Sequence, residues 1–419
     1  MNNKRWLYLC TGTVTLLFFG LIYAWSLFRA PFSEIFPEWT ISQMSLTFTI
    51  SMICFCLGGF LSGLMSKRFS VRFRILMAAV MLFVGFFAVS MMNTSNPAAS
   101  LSMLYIFYGV LGGGGVGVAY NTVIGSVNRW FPDKVGTSSG IMMMGFGFGG
   151  LVLGSVVNVL IGSTGLFATF RVLAVAIGLV CIASAMIIKV PTEEETLELA
   201  GLAKAAGKDN ASENDAKGDE ADKARSYSAG EMLKTSAFWY FEAWNILLSS
   251  AALLVINSAA DISVAFGGSA VLGMIVSLFN GAGRIVAGSN FDKFGRRTST
   301  MVNTAFMLCA GLLLSLGAAS GVYAFILVGL IFVGLAHGGC PTITSAFINS
   351  AYGPANFSTN FSIANFALIP AASIGPMVSS ALLEKSGGNY NTNFYAIIVF
   401  ALVALAAWVM LNISDNRHK

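Results

Sequence analysis

Charged side chains are scarce in this sequence. Of its 419 residues, 10% are charged and 56% are hydrophobic, and the mean hydropathy is +0.75. A soluble domain carries about 25% charged residues, so this composition excludes an ordinary soluble protein. The basic residues cluster in short loops, which is not the pattern of a nucleic-acid-binding protein. The composition instead indicates a polytopic membrane protein embedded in a lipid bilayer.

The sequence also lacks clusters of metal-binding and catalytic residues. It has two histidines and six cysteines, and the cysteines are dispersed through apolar segments without metal-ligand spacing. No His/Asp/Glu cluster or nucleophile–base pair lies within an apolar segment, so we do not expect an enzyme. The glycine-rich stretches have no preceding strand and no following Lys-Ser/Thr. We therefore expect no metal, no cofactor and no ATP-driven pump.

Long apolar runs predict the fold class. A helix that crosses a bilayer needs about 20 apolar residues. The sequence contains twelve such runs, near residues 7–28, 43–66, 74–93, 100–126, 137–161, 168–189, 236–259, 269–289, 299–318, 321–345, 358–383 and 393–412. We predict an all-α membrane protein with twelve transmembrane helices.

Loop charges predict the orientation in the membrane. Basic residues flank the loops on one side, and the opposite side has only Arg29, Arg171 and Lys385 near its loops. By the positive-inside rule, both termini of this multi-pass protein face the cytoplasm. Glu242 and Asp261 are expected at the membrane interfaces.

The only long loop, residues 191–235, divides the chain into two sets of six spans. Its composition is polar and poor in aromatic residues, and a short amphipathic helix is expected near 193–204. We predict an N-terminal six-helix half (1–190), a cytoplasmic linker (191–235) and a C-terminal six-helix half (236–419). Two similar halves are typical of secondary transporters.

Arg284 is the most informative residue in the sequence. It is the only Arg or Lys well inside a strongly apolar run, and Asn280 lies four residues earlier on the same helix face. A charge at membrane depth costs at least ~2.5–3.5 kcal/mol on insertion scales, so it usually marks a pathway. A guanidinium suits a carboxylate because it donates two parallel hydrogen bonds. The alternative is an arginine that reaches the membrane interface or pairs with a distant acid.

The loop after the eighth span carries a motif. It reads G-S-N-F-D-K-F-G-R-R from Gly288 to Arg297 and resembles the G-x-x-x-D-K-x-G-R-R loop of the major facilitator superfamily. The matching loop after the second span is degenerate, with Lys67 at the acidic position and Ser70 at the glycine position. Together with the loop after the fourth span, this motif predicts a cytoplasmic gating set: Asp292, Lys293, Arg296, Arg297, Arg129 and Asp133.

Three further stretches resemble the oxalate/formate antiporter family within that superfamily. They are N-R-W-F-P-D-K-V-G from Asn128, Y-A-W-S-L-F from Tyr23, and G-E-M-L-K-T from Gly230. The resemblance covers essentially the whole chain. It implies two pseudo-symmetric six-helix halves, transport of small carboxylates by alternating access, a monomer, and the cytoplasmic membrane of a prokaryote.

The resemblance also implies site residues. Arg284 falls on the family's span-8 arginine, and Tyr23 and Tyr120 fall on tyrosines that line the cavity. Four positions depart from the family. Leu368 stands where the oxalate exchanger has a second cation, a lysine, and Asn365 is the nearest polar residue. Phe146 replaces a cavity tyrosine, and His337 and Pro341 replace a tryptophan and a tyrosine.

His337 leaves several roles open. An imidazole titrates in the physiological range, so His337 can carry a coupling proton. It can also act as a neutral donor to the substrate, as a second cation, or as a packing residue. Because two fixed cations suit a dianion and one suits a monoanion, we predict a monocarboxylate such as formate, lactate, pyruvate or a short-chain acid.

Alternative functions remain at this point. A dicarboxylate exchanger of the oxalate type is the nearest one. Export of an amphipathic drug is a further transport function. A membrane sensor that uses the 191–235 loop as its output belongs to another class. Antiport and proton symport of the organic anion are both compatible with the sequence.

Overall fold

The apolar runs fold as helices. A computed structural model describes residues 2–210, 226–256, 258–273 and 275–417, and every regular element in those ranges is helical. Eleven helices there are long and apolar enough to cross a membrane. They are Lys4–Ile35, Ser42–Met65, Val71–Val89, Pro97–Asn128, Val135–Thr164, Leu166–Ile187, Ser236–Ile256, Ile275–Ser320, Tyr323–Tyr352, Phe357–Lys385 and Asn391–Ile413.

The longest of these helices is two helices joined at a break. Ile275–Ser320 has 46 residues, and Gly295 within it has φ 74° and ψ −177°. Only glycine adopts such a backbone readily, so the helix axis is interrupted there. Each limb is long enough to cross a bilayer at 1.5 Å per residue. Counted as two limbs, it completes the twelve predicted crossing segments.

Local side chains fix several helix ends. Thr40 and Gln43 form a reciprocal capping box at the start of Ile41–Met65. The Ser70 hydroxyl accepts from the Phe73 N–H at the start of Val71–Val89. Ser70 therefore has a local structural role at the position where the superfamily motif has glycine.

Contacts along the chain define two compact units. The first comprises Met1–Pro132, Gly145–Ala200 and Phe357–Ile363. Its helical elements are Asn2–Phe19, Gly20–Ala24, Trp25–Ile35, Ile41–Met65, Val71–Val89, Pro97–Met103, Leu104–Gly112, Gly113–Asn128, the larger part of Val135–Thr164, Leu166–Ile187, the start of Glu193–Asn210 and most of Phe357–Ala364.

Helices Ile41–Met65 and Gly113–Asn128 approach closely in this first unit. A Cβ at Gly113 would collide with the backbone of Ser51, and a Cβ at Gly117 would collide with the Phe55 carbonyl. Small residues allow this backbone contact. The close approach fixes the position of Tyr120, which follows on the second of these helices.

The second unit comprises Asp133–Met144, Gly201–Asn356 and Ala364–Lys419. Its main helical elements are Ala229–Met232, Ser236–Ile256, Ala259–Ala265, Ala270–Gly273, Ile275–Ser320, Tyr323–Tyr352, Asn365–Ala367, Leu368–Lys385 and Asn391–Arg417. The first residues of helix Val135–Thr164 also belong to this unit. The division into 1–190, 191–235 and 236–419 stays a prediction.

Three interruptions occur inside predicted spans. Gly20–Ala24 and Asn365–Ala367 are 3₁₀ turns, and Leu104–Gly112 is a π-helical segment. Such departures from α geometry are frequent at functional sites. The hydropathy pattern predicts none of them, because it records polarity and not helix pitch.

The start of the predicted linker is helical. Helix Glu193–Asn210 includes the short helix expected near 193–204, and residues 211–225 lie outside the described ranges. Lys4 Nζ lies 3.2 Å from Glu195 Oε1. The Thr192 N–H, which donates to the Glu195 carboxylate, lowers the pKa of Glu195, and Lys4 acts in the same direction.

Candidate functional site

Arg284 lies inside helix Ile275–Ser320, about three turns before the break at Gly295. Its side chain is 7% exposed, so the surrounding protein shields it from solvent. Its Nη1 donates to the backbone carbonyl of Met143 at 2.5 Å, and its Nε donates to Asn280 Oδ1 at 3.2 Å. Both acceptors are neutral. The guanidinium is therefore oriented by groups that bind it less strongly than an anion does.

Asn280 occupies the place that helix spacing predicts. Residues four apart lie on one helix face, and the side chains of Asn280 and Arg284 are hydrogen-bonded to each other. Asn280 is only partly buried. Its amide nitrogen remains a donor that can bind a second oxygen of a ligand.

Glycines bring the Met143 carbonyl to Arg284. A Cβ at Gly140 would collide with the Arg284 carbonyl, and a Cβ at Gly136 would collide with the Gly288 carbonyl. The segment 133–144 and helix Ile275–Ser320 therefore pack at backbone distance within the second unit. Any side chain at these glycines would separate the two elements and withdraw Met143 from the guanidinium.

His337 lies beside the same pair of residues. It is partly buried on helix Tyr323–Tyr352, and the next residue, Gly338, packs so closely that a Cβ there would collide with the Asn280 carbonyl. The Arg284 guanidinium acts electrostatically on the His337 ring. The ring's Nδ1 is buried and has no hydrogen-bond partner among the described residues. Arg284, Asn280 and His337 are thus brought together.

Pro341 changes the hydrogen bonding of the His337 backbone carbonyl. Proline has no N–H, so it cannot donate to the carbonyl four residues earlier, which is that of His337. Nearby, the Asn303 side chain donates to the Ala336 carbonyl at 2.9 Å. This turn of the helix therefore differs from a regular α-helix in its hydrogen bonding.

Tyr120 and Phe146 belong to an aromatic cluster in the first unit. The Tyr120 ring centroid lies 4.8 Å from that of Phe146, 5.2 Å from that of Phe55 and 6.3 Å from that of Phe361. Tyr120 is 5% exposed and Phe146 is 3% exposed. The cluster forms an apolar wall that carries the Tyr120 hydroxyl.

Two other predicted site residues belong to 3₁₀ turns. The side chain of Tyr23 lies outside the described residues, although its backbone belongs to the 3₁₀ turn Gly20–Ala24. Asn365 is partly buried and begins the 3₁₀ turn Asn365–Ala367. The participation of both in ligand binding stays a prediction.

Asp292 contacts the start of helix Val135–Thr164. Its Oδ1 accepts from the Gly136 N–H at 2.8 Å, and its Oδ2 accepts from the Thr137 N–H at 2.6 Å. These N–H groups lie in the first helical turn and have no intrahelical acceptor. A carboxylate there satisfies the donors and complements the positive end of the helix dipole.

The other residues of the predicted gating set lie near the ends of the helices. Arg129, Lys293 and Arg297 are exposed, and Asp133 is partly buried. The Arg296 guanidinium lies 5.4 Å from the centroid of the Phe347 ring. Their role in gating stays a prediction.

Sequence reasoning missed several groups. The contact of the Met143 carbonyl with Arg284 could not be predicted, because every residue has a backbone carbonyl and residue type does not indicate which one meets the guanidinium. Phe55 and Phe361 are ordinary apolar residues whose meeting with Tyr120 depends on packing. The burial of Glu242 was also missed: its side chain is 6% exposed and its Oε1 has no partner among the described residues, while its expected position at a membrane interface stays a prediction. The sequence feature that indicates a buried acid is the position of Glu242 inside the apolar run 236–256.

Membrane-length helices that enclose a buried cation characterise a polytopic transporter, and comparison with known proteins gives the family. The family model described as Major Facilitator Superfamily matches residues 7–264 and 235–419. The chain therefore belongs to the major facilitator superfamily.

Relatives of known name and a solved structure agree with this assignment. The chain is 26% identical to the oxalate:formate antiporter of Oxalobacter formigenes, over 97% of this chain and 92% of that protein. It is 27% identical to monocarboxylate transporter 12 of Xenopus laevis, over 35% of this chain and 30% of that protein. The proton:xylose symporter XylE superposes with a TM-score of 0.71 at 16% identity, over 97% of this chain and 95% of that one, which shows the shared fold.

Proposed function

We propose that this transporter carries small monocarboxylates and that Arg284 binds the carboxylate. The observation that supports the proposal most strongly is a guanidinium that is 7% exposed, lies on a helix long and apolar enough to cross a membrane, and donates to the neutral acceptors Met143 and Asn280. An anion is the ligand that such a buried cation favours, because the opposite charges compensate each other.

The geometry of the guanidinium favours a carboxylate over other anions. Its planar donors match two carboxylate oxygens, and charge-assisted hydrogen bonds are stronger than bonds to a neutral carbonyl. A substrate carboxylate would therefore displace the Met143 carbonyl from Nη1. This exchange would link substrate binding to the contact between segment 133–144 and helix Ile275–Ser320.

The number of fixed cations supports a monoanion. Leu368 stands where the oxalate exchanger has a lysine, and Phe146 lacks the hydroxyl of the tyrosine it replaces. In this proposal His337 and the Asn280 amide contact the remainder of the substrate. Formate, lactate, pyruvate and short-chain acids have the required single charge.

The same residues suggest how transport is coupled. An anion bound to Arg284 would offset the cost of enclosing its charge, so the occupied transporter would change conformation faster than the empty one, which favours exchange of one acid for another. A proton on His337 would allow net symport instead. We propose exchange or proton symport of the monocarboxylate by alternating access in the cytoplasmic membrane.

Uptake into liposomes tests the proposal. Purified protein is reconstituted into vesicles preloaded with unlabelled acid, and uptake of labelled formate, lactate, pyruvate and oxalate is followed with and without a pH gradient. We expect saturable monocarboxylate uptake that Arg284→Gln abolishes. Arg171→Gln is the matched control, because Arg171 is an exposed arginine on helix Leu166–Ile187.

The outcomes separate the candidates. Monocarboxylate uptake that survives in Arg284→Gln would contradict the assignment of the anion site. Oxalate uptake that monocarboxylates do not compete with would favour the second candidate, a dicarboxylate exchanger, which the 26% identity to an oxalate:formate antiporter supports. Ligand binding without flux would favour a sensor.

A further inference from the structure

A second group of basic residues surrounds a cavity in the first unit. The cavity has a volume of about 120 Å³ and lies where the loop after helix Ile41–Met65 meets the start of helix Val71–Val89. Arg74 and Arg129 both line it, together with the serines at 66, 70, 126 and 358. Among the described residues that line it, none is acidic.

Neither arginine forms an ion pair with a carboxylate among the described residues. Arg74 is 4% exposed, and its Nη1 donates to the Ser62 carbonyl and hydroxyl, both at 3.3 Å. Its Nε is buried without a partner in the described ranges. Arg129 acts electrostatically on Arg74. Two like charges beside one cavity, one of them buried, destabilise each other unless an anion binds.

Arg129 is available to a ligand. Its side chain is exposed and lines the cavity, and it forms no ion pair in the described part of the chain. The surrounding protein nevertheless lowers the pKa of Arg129, because it removes water from part of the group. An anion that contacts both guanidinium groups would offset this loss of hydration.

The remaining lining groups are hydrogen-bond donors. The Ser70 hydroxyl accepts from the Phe73 N–H and keeps its own proton for another acceptor. Ser66 and Ser358 also line the cavity, and each hydroxyl group is a further donor. The first turn of helix Val71–Val89 adds the positive end of its dipole.

The size and position of the cavity limit the ligand. One water molecule needs a cavity volume of about 10–15 Å³, so a cavity of about 120 Å³ accommodates a group several times larger than water. Two guanidinium groups and several hydroxyls match the three or four oxygens of a tetrahedral oxyanion better than the two oxygens of a carboxylate. The loop also carries exposed Lys67 and Arg68, which attract anions.

We propose that this cavity, bounded by Arg74 and Arg129, is a binding site for a phosphate group, separate from the carboxylate site at Arg284. The phosphate belongs either to a soluble phosphate compound or to an anionic lipid headgroup. Both sources are available at the cytoplasmic membrane surface, where the positive-inside rule places this loop. In the superfamily motif, an acidic residue of this loop carries a negative charge, but Lys67 stands at that position here. The bound phosphate supplies the negative charge instead.

Thermal unfolding of the purified protein tests for the site. The Tm is measured in detergent as inorganic phosphate is added, against chloride and acetate at equal ionic strength. We expect phosphate alone to raise the Tm in a saturable manner, since a ligand that binds the folded state stabilises it. Arg129→Gln should weaken phosphate binding about tenfold to a hundredfold, because it removes a charge-assisted hydrogen bond.

Two variants control for charge and for folding. Arg72→Gln removes the same charge from an exposed position that does not line the cavity, and it should bind phosphate like the wild type. Arg74→Lys keeps the buried charge but loses the planar fork, and it should also weaken binding. Equal losses in Arg72→Gln and Arg129→Gln, or equal stabilisation by phosphate and acetate, would overturn the proposal.

A lipid measurement identifies the source of the phosphate. Delipidated protein is placed in nanodiscs of phosphatidylcholine with or without phosphatidylglycerol, and the bound lipid is counted by native mass spectrometry. Retention of phosphatidylglycerol that Arg129→Gln and added phosphate both reduce supports a headgroup. Phosphate binding without lipid retention supports a soluble compound. Neither phosphate binding nor lipid retention would overturn the proposal, whether or not carboxylates are transported.

Discussion

At the scale of single residues, the ligand that a side chain favours depends more on its environment than on its residue type. Arg284 and Arg129 are both arginines, yet one is 7% exposed beside Met143 and Asn280 and the other is exposed at a helix end. The first suits a small monoanion because one guanidinium balances one charge. The second shares a cavity with Arg74, and the pair suits a dianion.

His337 carries the prediction that separates proton symport from exchange. We expect His337→Gln to retain exchange of labelled for unlabelled acid but to lose the dependence of uptake on pH. Glutamine keeps a donor and a similar length but does not titrate. Uptake is measured in proteoliposomes at several external pH values.

Two results would argue against a proton on His337. If the variant keeps the pH profile of the wild type, the coupling proton resides elsewhere. If exchange is lost together with pH dependence, His337 contacts the substrate or maintains packing. The wild type and Arg171→Gln serve as references, because Arg171 is an exposed residue of the first unit.

At the scale of elements, glycines determine which backbones meet. Gly140→Ala should destabilise the protein by about 1–3 kcal/mol and reduce carboxylate binding, because the added Cβ collides with the Arg284 carbonyl. The Met143 carbonyl would move away from the guanidinium. Unfolding in denaturant and carboxylate binding are measured on the same preparations.

Gly162→Ala is the control on the same helix. A Cβ there meets no atom within 4 Å, so stability should stay equal or rise slightly through better helix propensity. Loss of binding in both variants would indicate that the helix itself, and not the contact at Arg284, responds to alanine.

The Asp292 carboxylate gives a second prediction at this scale. Asp292→Asn removes the charge that faces the first turn of helix Val135–Thr164 and one of the two acceptors for Gly136 and Thr137. Hydrogen exchange at these two amides should become about fivefold faster, for a loss of ~1 kcal/mol. Asp261→Asn, at an exposed position of the second unit, should leave exchange at these amides unchanged.

At the scale of the whole molecule, the membrane imposes the organisation. The positive-inside rule predicts that Lys67 faces the cytoplasm and that Asn389 faces the opposite side. In a variant without native cysteines, an impermeant thiol reagent added to intact cells should label Asn389→Cys and not Lys67→Cys. Both residues are exposed, so accessibility within the protein does not bias the comparison.

Labelling of Lys67→Cys in intact cells would reverse the predicted orientation. The proposed phosphate site would then face away from the cytoplasm, while its chemistry would stay the same. Equal labelling of both positions after permeabilisation confirms that each cysteine reacts.

The sequence by itself determined the helical class, the number of crossing segments and the position of the buried arginine. These follow from local rules, because a bilayer needs about 20 apolar residues per span and a deep charge is conspicuous among them. The break at Gly295 was also visible as the glycine of a charged loop. The contact of Asn280 with Arg284 followed from helix spacing alone.

Only the tertiary structure decided which distant groups meet. Met143 reaches Arg284 across 141 residues of sequence, and Asp292 reaches Gly136 across 156. Arg74 and Arg129 come to share a cavity, and Glu242 is buried. Hydropathy and spacing describe one segment at a time. Contacts between segments depend on how closely their backbones pack. Glycine positions allow that close packing, but they do not indicate which segment is the partner.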